Sequence, residues 1–169
     1  AHAAGRDPVE YRRVLLQKHP RHLAALKLAA EKAGWGTPLP AGRARGVAVH
    51  ESFKSFVAEV AEVSVEAGQI RVHKVVCAID CGVAVNPAGV AAQLESAVAF
   101  GLGTVLHSSL TLKEGRVLES NYHDFRVLRL NEMPVVESHI VASTDSMGGV
   151  GEVGVPPVVR GDDLERSSP

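Results

Sequence analysis

The stretch FVAEVAEVSVEAGQIRVHKVVCAI, residues 56–79, carries the reading on which the fold class turns. Val57, Ala61, Val63 and Val65 recur near a period of two until the turn-like Glu66-Ala67-Gly68-Gln69, and beyond it Ile70, Val72 and Val76 alternate with Arg71, His73 and Val75. Branched residues in alternation on both sides of a glycine-containing turn predict a β-hairpin over roughly Phe56 to Ile79. Val47 and Val49 extend the strand pattern back to Gly46.

Upstream of the strands the period is helical. Asp7 stands at an N-cap with Pro8 in the first turn, and Val9, Tyr11, Val14, Leu15 and Leu16 follow near helical spacing. A second helix opens at Pro20 and runs over Arg21 to Ala33, with Leu23, Leu26 and Ala30 on one face and Gly34 as its stop. The proline- and glycine-rich Gly36 to Gly42 segment is a linker.

Downstream, Asn86-Pro87 starts a long helix from Ala88 to about Leu106, rich in alanine and glycine, so that a backbone or a cofactor can approach it closely. Lys113-Glu114-Gly115-Arg116 is a hairpin-like turn between Leu110–Leu112 and Val117–Leu118, and Val135 to Val141 is a further strand. The expected class is α+β, with two N-terminal helices, antiparallel strands, a central helix, further strands and a glycine-rich loop.

Composition narrows the function. A formal charge of −1 from 18 basic and 19 acidic residues gives no single-sign field to steer nucleic acid. The longest mostly apolar run, Ala97 to Leu106, is well short of the roughly 20 residues a membrane span needs. Cys77 and Cys81, the only cysteines, have neither redox nor zinc-quartet spacing and read as buried thiols. The eight histidines show no metal-ligand spacing, so no metal ligand is assigned. Residue 1 is alanine, and the chain reads as an excerpt whose targeting signal, if it has one, lies upstream.

The strongest chemical feature is Gly148-Gly149-Val150-Gly151-Glu152-Val153-Gly154, in which four glycines bracket one carboxylate. Glycines leave room for a ligand and expose main-chain N–H groups to it. A surface loop with a solvated glutamate is the competing reading. Gly149, Gly151 and Gly154 also fit a dinucleotide-binding turn, but too few residues follow for a βαβ unit, and Pro156-Pro157 falls where its helix would start. A second feature runs from Asp80 through Asn86-Pro87 to Gln93 and Gly103, a strand end leading into a helix N-terminus that could receive an anion. Its bland alternative is a turn aspartate and a surface amide.

Taken in order, these segments resemble the large catalytic subunit of the molybdenum hydroxylases, the xanthine dehydrogenase and aldehyde oxidase family, most closely the isoquinoline 1-oxidoreductase beta-subunit type. The resemblance lies in Ala1 to Arg12, with its Ala4-Gly5-Arg6-Asp7-Pro8 and Tyr11-Arg12, in Ala33-Gly34-Trp35-Gly36, Gly46 to Phe53, the Asp80-to-Gly103 block, Asn121-Tyr122-His123-Asp124-Phe125-Arg126 and Gly149-Val150-Gly151-Glu152. Val153 stands where that family usually has proline, and Ser96 where it has glycine.

The resemblance implies the C-terminal portion of a molybdopterin-binding domain. It makes residues 1–158 part of the second such domain, helical over 1–36 and α+β over 44–158, with 159–169 an atypical, disordered tail. Glu152 is then the general base, Gln93 lies at the pterin, and Gly149, Val150 and Gly151 lie beside the metal. The implied cofactor is molybdenum-molybdopterin in its cytosine dinucleotide form, with [2Fe–2S] clusters on a separate small subunit. Further partners are the remaining large-subunit regions, a cytochrome among the candidate electron acceptors, and a small-molecule substrate. The implied reaction hydroxylates an N-heterocycle or oxidises an aldehyde with oxygen drawn from water; a truncated or non-catalytic remnant of the fold is the alternative.

Overall fold

The computed structural model describes residues 1–161. The hairpin at its centre is β2 (Ser55–Glu66) paired with β3 (Gln69–Asp80), one residue longer at each end than the alternation predicts. It reverses at Ala67-Gly68, with φ of 50° and 78°, the paired positive values that match the twist of a two-residue hairpin. β1 (Arg43–Ser52) pairs with β2 through another such turn, Phe53-Lys54, with φ of 53° and 63°.

Neither residue of that second turn is glycine, so the left-handed backbone is strained at both. Lys54→Gly is expected to stabilise the fold by about 0.5–1 kcal/mol, the relieved strain less the extra chain entropy glycine loses. A chemical-denaturation midpoint reads this, and an unchanged or lower midpoint would show that the turn is not strained.

β6 (Val135–Ile140) completes a sheet of order β1-β2-β3-β6 and runs parallel to β3. Parallel neighbours need a long crossover. The chain supplies it with α3 (Pro87–Leu106), followed by a small hairpin of β4 (Leu112–Lys113) and β5 (Arg116–Val117). Three strands are thus antiparallel and one parallel, within the α+β class that the sequence predicts.

Helices cover both faces of the sheet. On one side α1 (Pro8–Leu15) and α2 (Pro20–Lys32) bring Val9, Ala25, Leu26, Ala29 and Ala30 onto Val47, Ala58, Val60, Val76 and Ala78. On the other, Val90, Leu94, Val98 and Leu102 of α3 meet Val57, Val75, Cys77 and Ile79. The two-sided cover explains why β3 reads as nearly continuous apolar sequence near its end: Val75 and Cys77 face one layer while Val76 and Ala78 face the other.

Local chemistry fixes the helix starts. Asp7 accepts from the Val9 and Glu10 amides, both at 2.9 Å, and its other oxygen accepts from the Trp35 indole at 2.9 Å. Two separately noted segments, around Asp7 and around Trp35, therefore meet. Asn86 caps α3 by accepting from the Gly89 amide at 3.1 Å. By length and composition α3 does pass as a membrane span, which the Ala97–Leu106 run alone did not suggest; here its inner face packs on the sheet.

A final helix, α4 (Val155–Gly161), corrects the sequence reading. Pro156-Pro157 does not block it, because both prolines sit in the first turn, where the absent N–H groups have no intrahelical partner to lose. The expected tail therefore cannot begin at 159, which is helical; 162–169 lie outside the described residues. The small residues of α3 serve this helix: a Cβ on Gly101 would lie 3.0 Å from Val158, and one on Gly154, just before α4, 3.0 Å from Ala97.

Candidate active site

The glycine-bracketed loop crosses the end of the sheet and is pinned by its backbone. The Gly148 amide donates to the Cys81 carbonyl at 2.9 Å, and the Gly149 amide to the Phe53 carbonyl at 2.8 Å. Side chains cannot be accommodated there. A Cβ on Gly148 would meet Ser55 Oγ and lie 2.6 Å from the Lys54 carbonyl, and one on Gly149 would lie 2.8 Å from Phe53 Cβ. The glycines at 148 and 149 are thus needed for close approach to the strained β1–β2 turn.

From Gly149 the chain delivers Glu152 to solvent. Val150 packs against the α3-side core, Val153 is fully buried in it, and Glu152 between them is exposed. These packed flanks fix the backbone around an accessible carboxylate. Its carbonyl accepts from the Val155 amide at 3.0 Å as α4 begins.

Glu152 and Gly151 open onto a cleft of about 520 Å³. Its other walls are His50, Ser52 and Phe53 from the end of β1, Ser96, Ala97 and Phe100 from α3, and Val155 and Pro156 from α4. Gln93 lies at the same end: a Cβ on Gly151 would stand 3.6 Å from its Nε2, and the residue is exposed. The structure therefore brings together Glu152, Gly151 and Gln93. Gly149 is held against Phe53, with Val150 turned to the core.

Sequence reasoning missed the aromatic walls. Gln93, Ser96, Ala97 and Phe100 share one face of α3 at helical spacing, a signal that could have added Phe100 to the candidates. Phe53 had no comparable signal, because its place depends on the turn geometry.

Arg21 was also missed. Its guanidinium forks onto the buried Asp80 carboxylate, Nε to Oδ2 at 2.9 Å and Nη2 to Oδ1 at 2.6 Å, and its plane lies 4.4 Å from the centre of the Phe56 ring. Asp80 also accepts from the Gly82 amide at 3.0 Å. The fork holds the Asp80 carboxyl below the usual aspartate range against the opposing effect of burial, and the Gly82 bond adds to the lowering.

The lowered value has a linkage consequence. An unfolded aspartate binds its proton near pH 3.9, so the stability Asp80 contributes is fully present above about that pH and is lost as pH falls through the folded value. Acid unfolding followed by circular dichroism should be less steep below about pH 4 in Asp80→Asn than in the wild type. Parallel acid limbs in the two proteins would count against this role.

The remaining candidates fall elsewhere. Asp124, in the Asn121-to-Arg126 segment, accepts from the Asn121 and Ser120 amides, which lower its pKa to about 2. That segment lines a separate small cavity with Leu110 and Glu119. Cys77 is buried, which together with nearby Glu59 pushes its thiol up and makes it a poor nucleophile.

A family model described as molybdopterin cofactor-binding domain matches residues 17–134, ending before the Glu152 loop. Isoquinoline 1-oxidoreductase subunit beta of Brevundimonas diminuta is 31% identical over 154 residues, covering 88% of this chain and 20% of that protein. A membrane-bound aldehyde dehydrogenase of Gluconacetobacter polyoxogenes, named for pyrroloquinoline quinone, is 30% identical over 91% of this chain and 23% of its own length. Quinoline 2-oxidoreductase from Pseudomonas putida 86 shares the fold, with a TM-score of 0.59 at 20% identity over 64% of this chain and 15% of that one. The chain thus spans about a fifth of the length of these curated relatives. With its mixed sheet, covering helices and matched segment, the chain belongs to the molybdopterin cofactor-binding domain family.

Proposed function

We propose that this chain forms part of a molybdenum-dependent oxidoreductase that hydroxylates an N-heterocycle or oxidises an aldehyde, with Glu152 as the proton acceptor. The observation that carries the reading is an exposed carboxylate held between the partly buried Val150 and the fully buried Val153 at the mouth of a 520 Å³ cleft, with the Gln93 amide close by. A carboxylate so exposed can accept a proton from a group within hydrogen-bond reach.

The residues fit a molybdopterin group. Gly151 leaves the space beside Gln93 Nε2 unfilled by any Cβ, and Gln93 is exposed with donor and acceptor to offer. Gln93 would hold the pterin, and Gly151, with the main chain of Gly149 and Val150, would lie towards its metal. The bound cofactor supplies the two-electron oxidation and activates the oxygen that enters the product. Glu152 accepts the proton released there, while Phe53 and Phe100 give a flat substrate apolar surface to lie on.

The reading extends to partners. The cofactor is proposed in its cytosine dinucleotide form, and electrons leave through [2Fe–2S] clusters on a separate small subunit towards an acceptor such as a cytochrome. The remaining large-subunit regions cover apolar surface that this chain leaves open outside the cleft, including Val85 at 78% and Leu130 at 93% exposure. The test is Glu152→Gln in the intact enzyme, with turnover and molybdenum content read together. Absence of molybdenum from the wild-type complex would favour a non-catalytic remnant.

A further inference from the structure

We propose that Arg21 is a positioning residue for Glu152, tying the buried end of β3 to the segment that leads into the Glu152 loop. The proposal rests on Glu152 being the proton acceptor.

Arg21 belongs to α2, in the layer opposite the one formed by α3 and α4. Its fork onto Asp80 occupies the Nε hydrogen and one side of Nη2, and Asp145 Oδ2 lies 3.2 Å from the same Nε as a charge partner. One guanidinium therefore faces two carboxylates. Asp80 ends β3, and Asp145 lies in the irregular segment between β6 and the glycines.

The backbone continues the link on both sides. The Val83 amide donates to the Asp145 carbonyl at 3.2 Å, and the Gly148 amide to the Cys81 carbonyl at 2.9 Å, so the residues after Asp80 run alongside those after Asp145. Gly82 is the contact point, since a Cβ there would lie 2.6 Å from the Asp145 carbonyl oxygen. Phe56, under the guanidinium, belongs to the strand that begins at Ser55, against which Gly148 packs. Arg21 thus fixes both rails along which the chain reaches Glu152.

A salt bridge that only held α2 to the sheet would need Asp80 alone. The Asp145 carboxylate is 57% exposed, and an exposed ion pair adds little to stability. Its place at Arg21 bears instead on where the loop sits, and a displacement of about 1 Å at a reacting group can lower a rate about 100-fold.

The experiment compares Arg21→Ala, Arg21→Lys and Asp145→Asn in the intact molybdenum-loaded enzyme. It reads kcat and KM separately, together with molybdenum content and amide hydrogen exchange across residues 143–155. Arg21→Ala is expected to speed exchange at Gly148 and Gly149 and to lower kcat about 10- to 100-fold, with KM and molybdenum content little changed. Arg21→Lys, which keeps the charge without the planar fork, should recover part of the rate. Asp145→Asn leaves the Arg21–Asp80 fork intact, so it folds even if Arg21→Ala does not, and it should show the same changes in smaller degree. Wild-type exchange in that segment, or faster exchange with wild-type kcat, in an enzyme that requires Glu152 overturns the positioning role alone. Wild-type turnover in Glu152→Gln overturns the proposed function and this role together.

Discussion

Glu152→Gln in the intact enzyme is expected to lower turnover by at least about 100-fold while molybdenum content stays at the wild-type level. Glutamine has the shape of glutamate but cannot take up a proton, so the substitution removes the chemistry and little else. Because Glu152 is exposed, no buried partner is orphaned by the change, and its anchors, Val150 and Val153, are untouched. The paired readout separates two roles. Lost turnover with normal metal content is the signature of a proton acceptor, whereas a proportional loss of metal would make Glu152 a residue that retains the cofactor. Near-wild-type turnover would remove it from the reaction.

Gly82→Ala should be the most damaging small substitution in the fold. Gly82 has φ of 72°, and its missing Cβ would fall 2.6 Å from the Asp145 carbonyl oxygen and against that of Ser146. Both obstacles are backbone, which cannot rotate away as a side chain does. Left-handed strain and the steric shift together are expected to destabilise the domain by about 3 kcal/mol. Calorimetry should show this as a fall of about 10 °C in the domain's Tm. Gly68→Ala provides the control. That residue has φ of 78° but open space around it, so only the strain remains, about 1 kcal/mol. Equal losses at the two glycines would mean that the close approach at Gly82 is not what matters.

What could be read in the sequence was whatever local spacing determines. The 56–79 hairpin, the Asp7 and Asn86 caps and the start of α2 at Pro20 all depend on residues a few positions apart, and all stand in the structure. α4 was missed because the polar residues that follow Pro157 read as an atypical tail, although the helix starts ahead of them, with both prolines harmless in its first turn. The parallel pairing of β6 on β3 depends on how a long crossover packs, which no local pattern records.

The site divides in the same way. Glu152 and its glycines stood out as a motif, and Gln93 as a position in a resembled block. Neither spacing nor motif could bring Phe53 to the cleft, since it arrives there through a hairpin turn whose residues do not favour it. Nor could they pair Arg21 with Asp80, because a bidentate contact between distant segments leaves no trace in either one.

The meander of β1, β2 and β3 closes through two-residue turns, so each strand finds its partner almost at once along the chain. The docking of Gly149 on Phe53 joins segments far apart in sequence, and its loop-closure entropy is lost before any contact repays it. Assembly therefore has an order: the sheet and its helices can stand before the cleft exists. The same order reversed is expected in breathing of the native state, with the loop carrying Glu152 opening from the β1–β2 turn before any central strand unpairs. A large cofactor could enter a folded scaffold by that route, through an opening of the last-formed contacts and without unfolding the first.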